Sequence, residues 1–352
     1  MTPAGTSDVA IVGAGVSGLY VARELERNGL AVRVFEARDR VGGRLLSSAP
    51  DGAHPLDLGA TWFWPDEHRV RHLVGELGVE YFSETHVGDA LYQVPAGVQR
   101  LDGNPLDTPS FRFGAGADSL AHALAEQLRP GTLSSGEPVS EIGRAGAGLT
   151  VRTDEHIVDA AHVVIAVPPA LAISSIRFAP GLPDRLARVA AATPVWMGAI
   201  TKVVIRYHTR FWRERGLAGS AISHAGPMRE LHDMSGSDGI APALFGFVPG
   251  GSSTATVTVE EVVEQLVAIF GPEAAAPTGV TIQDWRTERW TSPPDVARLD
   301  NYRTYGHEVY AEPVWDGRLH WCSTETSHDA PGHIEGALAA AERAVDRVLR
   351  LR

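Results

Sequence analysis

The sequence predicts a two-domain α/β protein, on three observations. Residues 8–14 carry Val9, Ile11 and Val12 as a buried strand. Gly15 then opens a helix with Val16, Leu19, Ala22 and Leu25 on one face, and residues 31–37 (AVRVFEA) read as the next strand. A strand–helix–strand opening commits the chain to a parallel sheet with a right-handed crossover. At 352 residues the chain exceeds one compact core, so a second domain packs against the first. Hydrophobic residues at 44% and charged residues at 21% are those of an ordinary folded globular protein.

The remaining elements follow in order. Asn28-Gly29 ends the first helix. Residues 66–77 form a second amphipathic helix striped by Val70, Leu73, Val74 and Leu77. Residues 83–112 are turn-rich without a long periodic stretch; Gly88, Pro95, Gly97, Gly103, Pro105 and Pro109 break any long helix there. Asp118 caps a helix carrying Leu120, Leu124 and Leu128, ended by Pro130-Gly131. Residues 149–153 and 156–167 read as strands around a short turn, and 195–207 as a long strand-like stretch. A glycine/serine loop spans 249–253 and a helix spans 259–270, stopped by Gly271-Pro272. A terminal helix covers 332–351, and no internal repeat is visible.

Composition narrows the function classes. The formal charge of -12 argues against nucleic acid or an anionic membrane as partner and leans towards cationic substrates. Nothing approaches ~18 consecutive apolar residues, so no membrane span is expected. Only seven residues precede the first apolar run, which leaves no room for a signal peptide. Cys322 is the single cysteine, so no internal disulfide forms and a reducing cytoplasm is the expected location.

The sharpest motif is Gly13-Ala14-Gly15-Val16-Ser17-Gly18 between strand and helix, with Glu36 ending the second strand. This is a dinucleotide fingerprint. Gly13 makes the tight turn, Gly15 lets backbone approach a pyrophosphate, and Gly18 allows close helix–strand packing. The helix N-terminus faces phosphate charge, and Glu36 accepts hydrogen bonds from a ribose diol. The fingerprint does not choose between NAD and FAD. The stretch that follows, Glu36 to Arg44 (EARDRVGGR), places arginine after two glycines, where it can grip a pyrophosphate or flavin edge bidentately.

Lys202 lies in the apolar run Ala199-Ile200-Thr201-Lys202-Val203-Val204-Ile205, where burial would depress its pKa and make it a proton carrier or water-holder. The same pattern alone fits a lysine on an exposed edge strand. His68 and His72 have i,i+4 spacing, but Arg69 and Arg71 flank them and no third ligand is evident, so they read as a solvated face and no metal is expected. Cys322 has neither base nor metal cluster near it in sequence and reads as packing.

Taken together these segments resemble the flavin-containing amine oxidases, in order along nearly the whole chain. The run from Ile11 through Arg38, Gly43 and Arg44 is similar to the family's ADP-binding half. Asp57-Leu58-Gly59-Ala60-Thr61-Trp62 resembles the segment beside the isoalloxazine, Val139 falls at the backbone contact to adenine, and Trp285 matches a tryptophan packed on the flavin. Residues 321–326, with Thr324 and Glu325, and 332–337, with Gly332, His333 and Ile334, resemble the C-terminal flavin motif. There the final helix points its N-terminus at the pyrimidine end of the flavin and stabilises negative charge on the reduced ring. The resemblance also implies that Lys202 is bridged by water to flavin N5. Two departures matter. Covalent members hold the flavin through a cysteine, whereas residues 291–295 here read Thr-Ser-Pro-Pro-Asp, so FAD should be non-covalent. The monoamine oxidases carry tyrosine where His333 stands, so their substrate class does not transfer.

The expected architecture is a Rossmann-type FAD-binding domain from 1–80, 113–191 and 288–352, with a smaller mixed-sheet substrate domain from 81–112 and 192–287. The expected reaction oxidises the C–H next to an amine nitrogen, with hydride passing to N5, imine hydrolysis, and reoxidation by dioxygen to hydrogen peroxide. Trp62, Trp64 and His333 would line the amine pocket. The alternative is an FAD-dependent C–C desaturase; a third reading is a flavin-stabilised binding protein. Family members insert several helices where 83–112 stands, so a homodimer contact or a mobile loop is expected to cover the site.

Overall fold

The structure, a computed structural model, describes residues 2–49, 54–250, 257–293 and 302–352. Its first sheet runs Leu133–Ser135, Val32–Glu36, Thr2–Val12, His156–Ile165, Gly148–Arg152, Glu141–Ala145 and Arg177–Ala179. The front half of His156–Ile165 pairs antiparallel with Gly148–Arg152, while its end pairs parallel with Leu319–Trp321. The parallel centre is buried on both faces, and its apolar run divides by alternation. Val9, Ile11, Val34 and Val164 pack on one side with Leu19, Leu120 and Leu338 from three helices; Ala10, Val12, Phe35, Val163 and Ile165 pack on the other.

A second sheet of seven strands runs Gly279–Asp284, Ile200–Arg206, Ala243–Pro249, Glu230–Asp233, Leu217–Ser223, Asp89–Val94 and Gly97–Arg100. Every neighbouring pair is antiparallel except Leu217–Ser223 with Asp89–Val94, which makes the sheet mixed. One face buries Val203 and Ile205 against helix Val259–Phe270, which starts with a Thr258/Glu261 capping box. The opposite face carries Val204 and Phe245 and packs on Leu56 and Leu58. Among the described residues no helix is long and apolar enough to cross a membrane.

Four local expectations are corrected. Residues 83–112 hold strands: Asp89–Val94 and Gly97–Arg100 form a hairpin, and Phe111–Phe113 pairs with Trp62–Phe63 and Tyr81–Ser83. Strands of 3–6 residues separated by proline and glycine are too short to show a period. Asp118 does not cap its helix; Ala117 is the N-cap, and the Asp118 carboxylate accepts the Ser47 N–H at 3.1 Å. That helix stops at Glu126, before Leu128. The stretch 195–207 is strand only over Ile200–Arg206, because Met197 takes a left-handed φ of 75°. In the 249–253 loop, residues 251–253 lie outside the described residues.

Candidate active site

A cavity of about 530 Å³ lies between the sheets, walled by the Gly13–Ser17 turn at one end and by Phe247, Pro249 and Glu230 at the other. The first end is made of backbone. Gly13 has a φ of 100°, and its N–H donates to the Phe35 carbonyl at 2.8 Å. A Cβ on Gly18 would stand 2.0 Å from the Gly13 carbonyl oxygen, so glycine is required for the helix to seat on the turn. A Cβ on Gly15 would meet nothing within 4 Å; it would project into the cavity.

Glu36 is buried at the end of its strand. Its Oε2 accepts the Ala14 N–H at 2.7 Å and its Oε1 the Arg38 N–H at 2.9 Å. Arg38 also reaches the cavity, but its guanidinium is tied to Glu288, Thr291 and the Trp290 carbonyl. Arg44 pairs with the fully buried Glu325 through contacts of 2.6 and 3.2 Å. Burial works against the guanidinium charge, yet the Glu325 carboxylate outweighs it and raises the Arg44 pKa. Gly43, Gly59, Ala60, Thr61 and Val139 line the wall between the two ends.

Two helices aim uncapped N-termini at this one space. Helix Val16–Arg27 has Gly15 as N-cap and helix Ile334–Arg350 has His333; neither receives a side-chain cap. Gly332, His333 and Ile334 line the cavity, as does Thr324, whose hydroxyl donates to the His333 carbonyl and accepts the Gly332 N–H. The His333 ring bonds Glu67 Oε1 through Nδ1 at 2.8 Å and lies 4.9 Å from the Trp64 ring. Glu67 also accepts the Trp64 backbone N–H, so one carboxylate ties the His333 ring to the Trp64 main chain. Next along the helix, Glu335 accepts the Arg69 and Val70 N–H groups at 3.2 and 3.0 Å, capping helix His68–Leu77 from a different part of the chain.

Lys202, Trp285 and Glu325 stand one layer behind the wall. Lys202 is wholly buried, with Nζ donating to the Gly59 carbonyl at 3.0 Å and to the Thr61 hydroxyl. Burial lowers its pKa from 10.5 to about 7, with Arg112 adding repulsion against the attraction of Asp57 and Glu84. Its ammonium also sits 4.3 Å from the Phe245 ring centroid. The Trp285 indole donates to the Leu58 carbonyl at 2.9 Å and so props the bend that carries Gly59. Trp62 faces the cavity among Trp64, Phe245 and His232, and its buried Nε1 has no protein acceptor among the described residues. Of residues 291–295, Thr291 lines the cavity, while Pro294 and Asp295 lie outside the described residues.

Several residues of the cavity wall and its support escape sequence reasoning. Glu67 is 266 positions from His333, and no local signal joins them. Trp196 and Met197 interrupt an apolar run that reads as strand, and Glu230 becomes visible only once strand register is known.

A sheet with a parallel centre and a glycine turn, two helix N-termini and a connected aromatic end define a dinucleotide-dependent oxidoreductase architecture. The sequence model described as flavin containing amine oxidoreductase matches residues 79–349, and that of an NAD(P)-binding Rossmann-like domain matches residues 11–77. The chain belongs to the flavin-containing amine oxidoreductase family and is an oxidoreductase. It is 27% identical to the Mycobacterium tuberculosis protein AofH, named as a flavin-containing monoamine oxidase, over 99% of this chain and 98% of that one. It is also 27% identical to putrescine oxidase of Kocuria rosea, over 97% and 95% of the two chains. The solved structure of a putrescine oxidase bound to putrescine superposes with a TM-score of 0.87 at 25% identity, covering 99% of this chain and all of the other. The AofH alignment spans 453 positions against 352 residues here, so about a hundred positions are filled only in the relative.

Proposed function

We propose that this chain binds FAD without a covalent bond and oxidises a small amine at the C–H next to nitrogen. The observation that carries the reading is one continuous cavity joining the Gly13–Ser17 turn to an aromatic end backed by a buried lysine. The residues present fit a flavin dinucleotide. Gly15 leaves room where a Cβ would intrude, two uncapped helix N-termini offer N–H groups to anionic atoms, and Glu36 offers carboxylate oxygens to a ribose. Gly13, Gly15, Gly18, Glu36, Arg38, Gly43, Arg44 and Val139 would hold the ADP half; Gly59, Ala60, Thr61, Trp285, Thr324, Glu325, Gly332, His333 and Ile334 would hold or support the flavin half. Bound there, FAD supplies the two-electron acceptor for the amine hydride and returns the electrons to dioxygen as hydrogen peroxide.

The chain's own groups do the rest. Trp62, Trp64 and His333 form an apolar and aromatic cleft that favours the neutral, oxidisable amine. Lys202 acts through Thr61, to whose hydroxyl its Nζ donates; with a pKa lowered to about 7, the amine can gain and lose a proton at that contact near neutral pH. The two sheets would serve as cofactor and substrate domains, with 1–80, 113–191 and 288–352 in the first and 81–112 and 192–287 in the second. A homodimer contact or mobile loop would cover the entrance. The buried Cys322, whose thiol burial pushes up to about 12, suits a reducing cytoplasm.

The test is an anaerobic amine screen on the purified yellow protein. Bleaching of the visible flavin band by an amine, with aldehyde and hydrogen peroxide formed on admitting air, is the expected result. A flavin that no amine reduces would overturn the reading. Acid or heat should release FAD intact, and colour that stays with the precipitate would contradict non-covalent binding.

A further inference from the structure

Helix Val259–Phe270 buries Val262, Leu266, Ile269 and Phe270 against the second sheet, and Gln265 is buried with them. An amide in an apolar stripe is costly unless its N–H and carbonyl groups are paired. Both are paired here. Gln265 Nε2 donates to the Met228 carbonyl at 2.7 Å, the Ala225 carbonyl at 2.8 Å and the Ser223 hydroxyl at 2.9 Å. Its Oε1 accepts the Met228 N–H at 2.9 Å.

All four contacts fall where strand Leu217–Ser223 ends and the chain turns towards strand Glu230–Asp233. Other ties reinforce that turn. The Ser223 hydroxyl donates to Gln93 Oε1 at 2.7 Å, the Ser223 N–H to the Arg229 carbonyl at 2.9 Å, and the Arg229 guanidinium to the Gly226 carbonyl at 3.0 Å. Gly226 has a φ of 80°, and a Cβ on it would stand 2.7 Å from Gln265 Cδ, so turn and amide are closely fitted. The Met228 carbonyl that Gln265 grips belongs to the peptide group leading into Arg229. Arg229 and Glu230 line the cavity, whereas Gln265 does not. Strand pairing holds these two wall residues from one side, through the Arg229 N–H to the Phe247 carbonyl at 2.9 Å and Glu230 opposite Phe247. The Gln265 amide holds them from the other.

We propose that Gln265 is a positioning residue for the substrate end of the cavity: by clamping the turn before Arg229 it sets where this wall stands, and so how closely an amine fits against it. The proposal rests on the amine-oxidation reading above. Gln265 touches neither substrate nor cofactor and acts through the main chain of Ala225 and Met228. A leucine in its place leaves the Met228 N–H and the Ala225 and Met228 carbonyls without that partner in apolar surroundings, and the turn must shift to reach water.

The experiment measures kcat and KM of the flavin-loaded protein for linear monoamines from 1-aminopropane to 1-aminooctane, with amide hydrogen exchange at Met228. Gln265→Leu should raise the KM of the best monoamine by about 5-fold or more, with kcat changed less than about 2-fold. Met228 exchange should quicken by roughly 10-fold or more. Gly226→Ala pushes the turn from its other side and should raise KM in the same way, so the test survives if Gln265→Leu does not fold. Val262→Ala weakens the same helix face without touching the turn's hydrogen bonds, and should lower Tm while keeping the parent KM and Met228 exchange. A parent KM in both Gln265→Leu and Gly226→Ala, or an equal KM rise in Val262→Ala, overturns the proposal and leaves the amine-oxidase reading intact. A parent protein that no amine reduces removes that reading, and this proposal with it.

Discussion

Both sheets bury ionisable groups, and they do so with opposite outcomes. In the first sheet His162 and His320 meet at 3.2 Å between ring nitrogens. Burial lowers both pKa values, His320 to about 3, with His162 and Arg347 adding to the effect. In the second sheet His232 lies between two carboxylates and is raised to about 9. Histidine is common to both sites, and the counter-charge within hydrogen-bond reach decides the sign. The sheets also build the cavity differently. The first contributes backbone at Gly13 and Gly15, whereas the second contributes side chains at Phe247 and Glu230.

The largest expected effect contrasts two glycines of one motif. Gly18→Ala would drive a Cβ against the Gly13 carbonyl and Ala166, an overpacking that should cost about 3 kcal/mol or more and prevent the turn from closing. Gly15→Val should leave apoprotein stability within about 1 kcal/mol while abolishing flavin retention. Thermal unfolding of each apoprotein, with flavin content after purification, measures the contrast. Equal destabilisation by both would dissolve the distinction between packing glycine and cradle glycine.

Next in size is Lys202→Met. Flavin content should persist, while anaerobic flavin reduction slows by roughly 10²-fold and loses its inflection near pH 7. A merely structural lysine would lower stability without removing that inflection. Stability carries a second signature. The folded lysine releases its proton near pH 7 and the unfolded one near 10.5, so the unfolded chain holds the extra proton in that window. Stability therefore rises with pH between those values in the parent, and the methionine variant should lose this slope in denaturant titrations.

Glu36→Ala should weaken FAD binding by about 1.5–3 kcal/mol, because a charged acceptor is lost and the Ala14 and Arg38 N–H groups lose their partner. Equilibrium dialysis of FAD against the variant reads this; binding as tight as the parent's would remove Glu36 from the cofactor site.

The smallest effect tests the neutral histidines. His320 is unprotonated when folded and titrates near 6.5 when unfolded, so the unfolded chain takes up a proton between pH 6.5 and about 3. Stability contributed by the neutral ring is complete above that window and is lost as pH falls through it. His320→Gln should flatten this acid limb in thermal scans from pH 7 to 4, with flavin retention unaffected.

These contrasts also mark what the sequence could tell. Gly13, Gly15, Gly18 and Glu36 were legible as one local motif, within which Gly13 and Gly18 each meet a specific backbone demand. Lys202 was legible as a charge in an apolar run, and its burial matches that pattern. Its hydroxyl partner Thr61 is 141 positions away and follows only from the packing of the second sheet on the segment around Leu58. The Glu67–His333 and Arg44–Glu325 pairs are separated by 266 and 281 positions and have no periodic trace. The hairpin at 89–100 was missed because two short strands around Pro95-Ala96 show more turn chemistry than alternation.

The Glu335 cap on helix His68–Leu77 ties an early helix to the last one. During synthesis that early helix emerges long before its capping carboxylate, as does the first sheet before its Leu319–Trp321 strand. The nascent chain thus waits with an unfinished helix terminus and an open strand edge, and the N-terminal half becomes fully protected only when the C-terminus docks. Chains truncated before residue 319 should remain protease-sensitive within 60–80, whereas Glu335→Gln in the full chain should open that segment only slightly, as limited proteolysis would show.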